Sequence, residues 1–201
     1  MTAVALRPRT LRLVSLALAA SAALLIAPPL ATRAWADCPG AEVVFARGRE
    51  EPPGLGAVGD ALVDSLRGKT RLSVGAYGVN YPANISVDSG ANDISAHVQS
   101  MAKSCPNTRE VLGGYSLGAE VVDVATWSRI PPGVDQHVAA VVLFGNGTRG
   151  VAPAYVGKTI DQCAQGDPIC RNGTNWQSHL QPSYLGSGLV DQAADFVAGK
   201  L

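Results

Sequence analysis

The sequence predicts an α/β domain on a mostly parallel sheet. Three observations carry that reading. Apolar runs of strand length alternate with segments of helical periodicity along residues 37–201, the connections between them are short, and glycine is frequent (22 of 201 residues), as close-packed layers with many turns require. No internal repeat, low-complexity tract or interdomain linker interrupts the alternation. Residues 37–201 suffice for one domain with a sizeable core and are too few for two.

Residues 1–36 stand apart. Arg7, Arg9 and Arg12 open the segment without an acidic residue, 11–30 is largely Ala, Leu, Val, Ile and Ser, and Ala34-Trp35-Ala36 has the small-x-small form of a cleavage site. This reads as a secretory signal peptide, because Pro28-Pro29 cuts the apolar run too short for a membrane anchor. Its removal takes four of the sixteen basic residues and none of the sixteen acidic ones, leaving a charge of about −4. That balance attracts no nucleic-acid backbone, and no basic cluster favours an anionic membrane.

Within 37–201 the elements follow in order. The run 41–46 is a first strand buried on both faces, and Arg47-Gly48-Arg49-Glu50-Glu51-Pro52-Pro53-Gly54 is a polar loop rich in breakers. Residues 57–66 put Val58, Ala61, Leu62, Ser65 and Leu66 at helical spacing before Gly68, and 72–79 alternates large and small residues as a second strand closed by Tyr81-Pro82. Ile94, Val98, Met101 and Cys105 share one helical face over 92–105, ended by Pro106. A third strand over 108–115 leads to a helix over 120–128, and Pro131-Pro132-Gly133 marks a turn. The most continuously apolar run, 138–144, is expected as a central buried strand. A loop over 145–155 precedes a last strand near 158–163, and 188–200 closes the domain with Leu189, Val190, Ala193, Phe196 and Val197 on one stripe. No helical insertion is large enough to cover a cleft, so an open site without a lid is expected.

All four cysteines lie in 37–201. An even count in an exported chain argues for disulfides, and no Cys-x-x-Cys pair or closely spaced His supports a metal. Cys163 and Cys170 are near enough to staple one loop, which leaves Cys38 for Cys105.

The chemistry gathers at Gly114-Tyr115-Ser116-Leu117-Gly118. This is Gly-x-Ser-x-Gly at a strand-to-helix turn, where a strained serine exposes its Oγ and flanking glycines avoid a clash. In a glycine-rich chain the motif alone is weak. A serine nucleophile also needs an imidazole and a carboxylate to orient it. His97 is expected on the solvent side of its helix and His137 at a turn or strand cap, leaving His179, in a polar loop before the closing helix. Asp167 sits in the loop 163–170, where Pro168 biases its backbone towards extension. Asp161, inside a strand, and Asp191, on an exposed helical turn, compete less well. Ser116, Asp167 and His179 then follow the chain order of hydrolases built on parallel α/β sheets.

Gly114-Tyr115-Ser116-Leu117-Gly118-Ala119, the Gly166-Asp167-Pro168-Ile169-Cys170 loop closed from Cys163, and the later His179 together resemble the cutinase family. Ala46-Arg47-Gly48 after the first strand and Cys38 before it extend the likeness to the C-terminus. The resemblance implies an alpha/beta-hydrolase-type three-layer sandwich with a five-stranded, mostly parallel sheet and no lid. It implies a hydrolase of carboxylic esters, expected to act on short- to medium-chain esters or lipids without metal or cofactor; the signal peptide makes it a secreted esterase, and a monomer is expected. Ser116 would be the nucleophile, His179 the general base and then acid, and Asp167 the orienting residue. The pairs Cys38–Cys105 and Cys163–Cys170 are implied, as is an oxyanion hole from the Leu117 and Arg49 backbone N–H groups. Many members carry Ser or Thr at the position of Arg49 and Gln at that of Leu117, so one side-chain donor is absent here. A phospholipase, thioesterase or acetylxylan-type esterase would use the same triad. A non-catalytic lipid- or carbohydrate-binding protein on an esterase scaffold is the reading from another class. Asn84, Asn146 and Asn172 head glycosylation sequons.

Overall fold

A computed structural model of the chain describes residues 1–2, 38–170 and 173–201. The signal-peptide assignment and the sequon at Asn172 therefore rest on positions outside the described residues.

Strands β1 (Ala41–Ala46), β2 (Val74–Gly78), β3 (Arg109–Tyr115), β4 (Val138–Phe144) and β5 (Thr159–Gln162) form one sheet in the order β2-β1-β3-β4-β5. Every neighbouring pair is parallel. The helices are α1 (Gly56–Arg67), α2 (Asp88–Ser104), α3 (Leu117–Ser128), α4 (Pro153–Val156), α5 (Gln181–Leu185) and α6 (Leu189–Ala198). Strand alternation splits the core in two. Val43, Phe45, Val111, Val142 and Phe144 face α1 and α6, whose Leu62, Leu66, Ala193 and Val197 are buried against them. Val44, Ala46, Leu112, Val141 and Leu143 face α2 and α3, met by Ile94, Val98, Val121 and Val122. The five-stranded three-layer architecture thus agrees with the sequence expectation. Among the described residues, no helix is long and apolar enough to cross a membrane.

Several details differ. Helix α2 starts at Asp88, four residues before the expected position, and Gly90 is buried there between Tyr81 and Val121. Its lack of a side chain is a packing requirement that the polar stretch disguises as a loop. Helix α3 begins directly after Ser116. The apolar run of β4 is interior, but the sheet's centre is β3. β3 is less hydrophobic because a Cβ on Gly113 would lie 2.4 Å from the Phe45 ring. The loop after β4 contains α4, opened by Pro153, and His179 ends a 3-10 turn (Trp176–His179) that leads into α5. Both disulfides, Cys38–Cys105 and Cys163–Cys170, are formed.

Candidate active site

Ser116 directly follows β3 at the C-terminal edge of the sheet with φ 54° and ψ −118°, a region that L-residues enter only under constraint. The constraint is the close approach of three backbones. A Cβ on Gly118 would lie 1.9 Å from the Ala46 carbonyl oxygen, and one on Gly114 would lie 2.2 Å from the Gly118 oxygen. The two flanking glycines let α3 start hard against the ends of β1 and β3. The Ser116 N–H donates to the Phe144 carbonyl at 2.8 Å, which ties the strained residue to β4.

Ser116 Oγ lies 2.7 Å from His179 Nε2, and His179 Nδ1 lies 2.7 Å from Asp167 Oδ2. A carboxylate only accepts, so Nδ1 carries the proton and Nε2 is left to accept from the serine hydroxyl. His179 is 5% exposed and Asp167 fully buried, while Ser116 is partly open to solvent. Burial by itself would raise the Asp167 carboxyl. Hydrogen bonds from the Tyr184 hydroxyl, from His179 and from the Ile169 N–H outweigh it and hold the carboxyl below its ordinary range. Asp167 therefore stays ionised beside the imidazole.

Tyr184 and Tyr115 carried no signal in the sequence beyond being aromatic. Tyr184, fully buried, donates to Asp167 Oδ2 at 2.5 Å, and the Tyr115 hydroxyl donates to the His179 carbonyl. One fixes the carboxylate and the other the backbone of the imidazole.

The loop after β1 is held by a second network that the sequence reading also missed. The Glu51 carboxylate accepts from Gly48 N–H at 2.6 Å and Ala57 N–H at 3.1 Å, and the buried Arg47 guanidinium donates to the carbonyls of Glu51, Val79 and Tyr81. Glu50 N–H is taken by the Ala83 carbonyl, but among the described residues Arg49 N–H has no acceptor. Leu117 opens α3, where the first N–H groups lack intrahelical acceptors. Both positions border a cleft of about 620 Å³ at Ser116. Leu117, Ile169, Trp176 and Leu180 give it apolar wall, and Arg49 and Glu120 give it polar wall.

The remaining candidates lie elsewhere. Asp161 is exposed on β5, and Asp191, on α6, binds Lys69 at 3.0 Å. His137 closes a 3-10 turn before β4, as expected. His97 contradicts the solvent-facing expectation: its ring stacks on Tyr77 at 3.7 Å and Nε2 meets Glu42 at 2.7 Å. The reason is that α2 lies across β1 and β2, a neighbourhood invisible in the helix's own periodicity. Asn146 is buried and donates to Asp123 Oδ2 at 3.0 Å, so the second sequon is closed to a glycan.

A wholly parallel α/β sheet with serine, imidazole and carboxylate at its C-terminal edge defines a hydrolase of the alpha/beta class. The family described as Cutinase matches residues 37–201, and the chain belongs to that family. It is 53% identical over 195 residues to "Probable carboxylesterase Culp2" of Mycobacterium tuberculosis, covering 87% of this chain and 85% of that one. It is 50% identical over 211 residues to "Phospholipase Culp4" of the same organism, covering 94% and 92%. Among solved structures, Trichoderma reesei cutinase in complex with a phosphonate inhibitor superposes with TM-score 0.68 at 34% identity, covering 81% of this chain and 77% of that one. An acetyl xylan esterase superposes with TM-score 0.70 at 25% identity, covering 81% and 99%. The protein is a serine hydrolase of carboxylic esters.

Proposed function

We propose that Ser116 is the nucleophile, His179 the proton carrier and Asp167 the group that orients it. The observation that carries this is the unbroken relay of two 2.7 Å hydrogen bonds from Ser116 to Asp167. Ser116 Oγ adds to the ester carbonyl while His179 Nε2 takes its proton. The same proton goes to the alkoxy leaving group as the carbon–oxygen bond breaks and the acyl-enzyme forms. Water, deprotonated by His179, then releases the acid and restores the serine. The Leu117 and Arg49 N–H groups would receive the oxyanion, a role supported by their unclaimed donors at the cleft.

The substrate we propose is a short- to medium-chain ester, whose acyl chain suits the apolar wall of Ile169, Trp176 and Leu180. A phospholipid reading is favoured by the similarity to the protein named Phospholipase Culp4. Residues 1–36 are proposed to direct export, with 37–201 acting outside the cell as a monomer. Stoichiometric labelling by a fluorophosphonate probe, lost together with turnover of a p-nitrophenyl ester in a folded Ser116→Ala variant, tests the nucleophile. Retained labelling would move it elsewhere. Rates across acyl lengths and on phospholipid vesicles separate the two substrate readings.

A further inference from the structure

At the opposite edge of the sheet from Ser116, Glu42 on β1 and Glu110 on β3 are register partners. Both sit on the alternation that faces α2 and α3, since Val44 and Leu112, two residues on, pack into that layer. His97 of α2 completes the group, its ring held flat against Tyr77 and its Nε2 2.7 Å from Glu42 Oε2. One donor atom from each of Glu42, His97 and Glu110 lies within 4.8 Å of the other two.

Glu110 is what makes this group unusual. It is 1% exposed, and neither carboxylate oxygen has a hydrogen-bond partner among the described residues. Like charges on adjacent strands repel, and an unpaired buried carboxylate costs far more than any hydrogen bond returns. Buried charges in folded proteins are paired or bind a metal, and among the described residues no Lys or Arg pairs with this one. We infer that Glu42, His97 and Glu110 form a binding site for a divalent transition-metal ion, zinc above all.

One imidazole and two carboxylates suit zinc, whereas calcium and magnesium take oxygen donors alone. Zinc holds such donors at about 2.0–2.2 Å, so the three need to close by roughly an ångström around it, with water as the fourth ligand. The Glu42 and His97 side chains are 12% and 18% exposed, which leaves the ion a way in. Glu110 and Ser116 lie six residues apart on an extended strand, roughly 20 Å, so the ion takes no part in ester chemistry. It clamps α2 to β1 and β3, the same junction that the Cys38–Cys105 disulfide closes covalently.

The experiment uses the purified protein stripped of metal with chelator. Cobalt(II) should bind one per chain with visible ligand-field absorption, and zinc should displace it. Zinc at about a hundredfold excess over its Kd should raise Tm by roughly 5–10 °C, while chelation leaves p-nitrophenyl ester turnover at 25 °C unchanged. Glu110→Gln, nearly isosteric, and His97→Gln should each lose the cobalt band and the zinc-dependent shift. Absence of both signals in the folded, wild-type protein overturns the site without reference to any variant. So does an undiminished zinc shift in both variants, which would put the ion at His137, His179 or elsewhere. Because the readouts are spectral and thermal, they stand or fall independently of the proposed ester chemistry.

Discussion

The Tyr184 hydroxyl donates to Asp167 from a fully buried ring, and burial followed by that hydrogen bond to the carboxylate pushes the hydroxyl well above its ordinary range. It therefore remains a donor at any working pH. A hydrogen bond to a charged group contributes about 1.5–3 kcal/mol, and Tyr184→Phe removes it while keeping most of the packing. We expect kcat on a short-chain aryl ester to fall at least tenfold with KM little changed, because the loss acts on the imidazole and not on substrate binding. A changed KM at constant kcat would assign Tyr184 to the cleft wall instead. Arg49 makes a second test. Among the described residues its backbone N–H has no acceptor, and its exposed side chain offers no hydroxyl at the cleft. Supplying one in Arg49→Thr should raise kcat, by up to the roughly 3 kcal/mol that one oxyanion donor contributes elsewhere. An unchanged kcat would mean that the two backbone donors suffice.

Elements whose character is local were legible in the sequence: β1, β4, α1 and α6 declare themselves by an apolar run or a stripe, and the Gly-x-Ser-x-Gly turn by its glycines. The order Ser116, Asp167, His179 was also legible, as was the stapled loop around the acid. What stayed hidden depends on which strands become neighbours. Gly90 reads as a breaker until Tyr81 and Val121 are seen beside it, and Glu110 reads as an ordinary residue at a strand's start until β1 brings Glu42 alongside. That adjacency has a measurable consequence in metal-free protein. Burial, then the Glu42 charge, pushes the Glu110 carboxyl from 4.5 up to about 8. Between those values the folded chain keeps a proton that the unfolded chain has released, so stability falls as pH rises through the window. Glu42 on β1 and His97 on α2 are the ionisable groups facing it. Urea midpoints in chelator should drop from about pH 5 to about pH 8, and Glu110→Gln should flatten that part of the slope. Parallel slopes in the two proteins would show that Glu110 does not hold the proton.

Across the whole molecule the parallel sheet separates two tasks. Its C-terminal edge collects the Ser116 turn, the Asp167 loop and the His179 turn, while its N-terminal edge is closed by the long disulfide and the Glu42–His97–Glu110 group. The two disulfides should therefore differ in kind. Cys38–Cys105 spans 67 residues and in the chain-entropy model contributes about 4 kcal/mol by restricting the unfolded chain; Cys163–Cys170 spans 7 and contributes about 2.5. Replacing the first pair by serines should lower Tm by roughly 8–16 °C, with kcat at 25 °C unaltered because no cleft residue moves. Replacing the second should lower Tm less, by at most about 10 °C, yet reduce kcat severalfold. The loop it closes carries both Asp167 and the Ile169 N–H that binds the carboxylate. Measuring both variants by thermal melts and by turnover separates stability from positioning, and equal losses of kcat would deny the division of labour between the two edges.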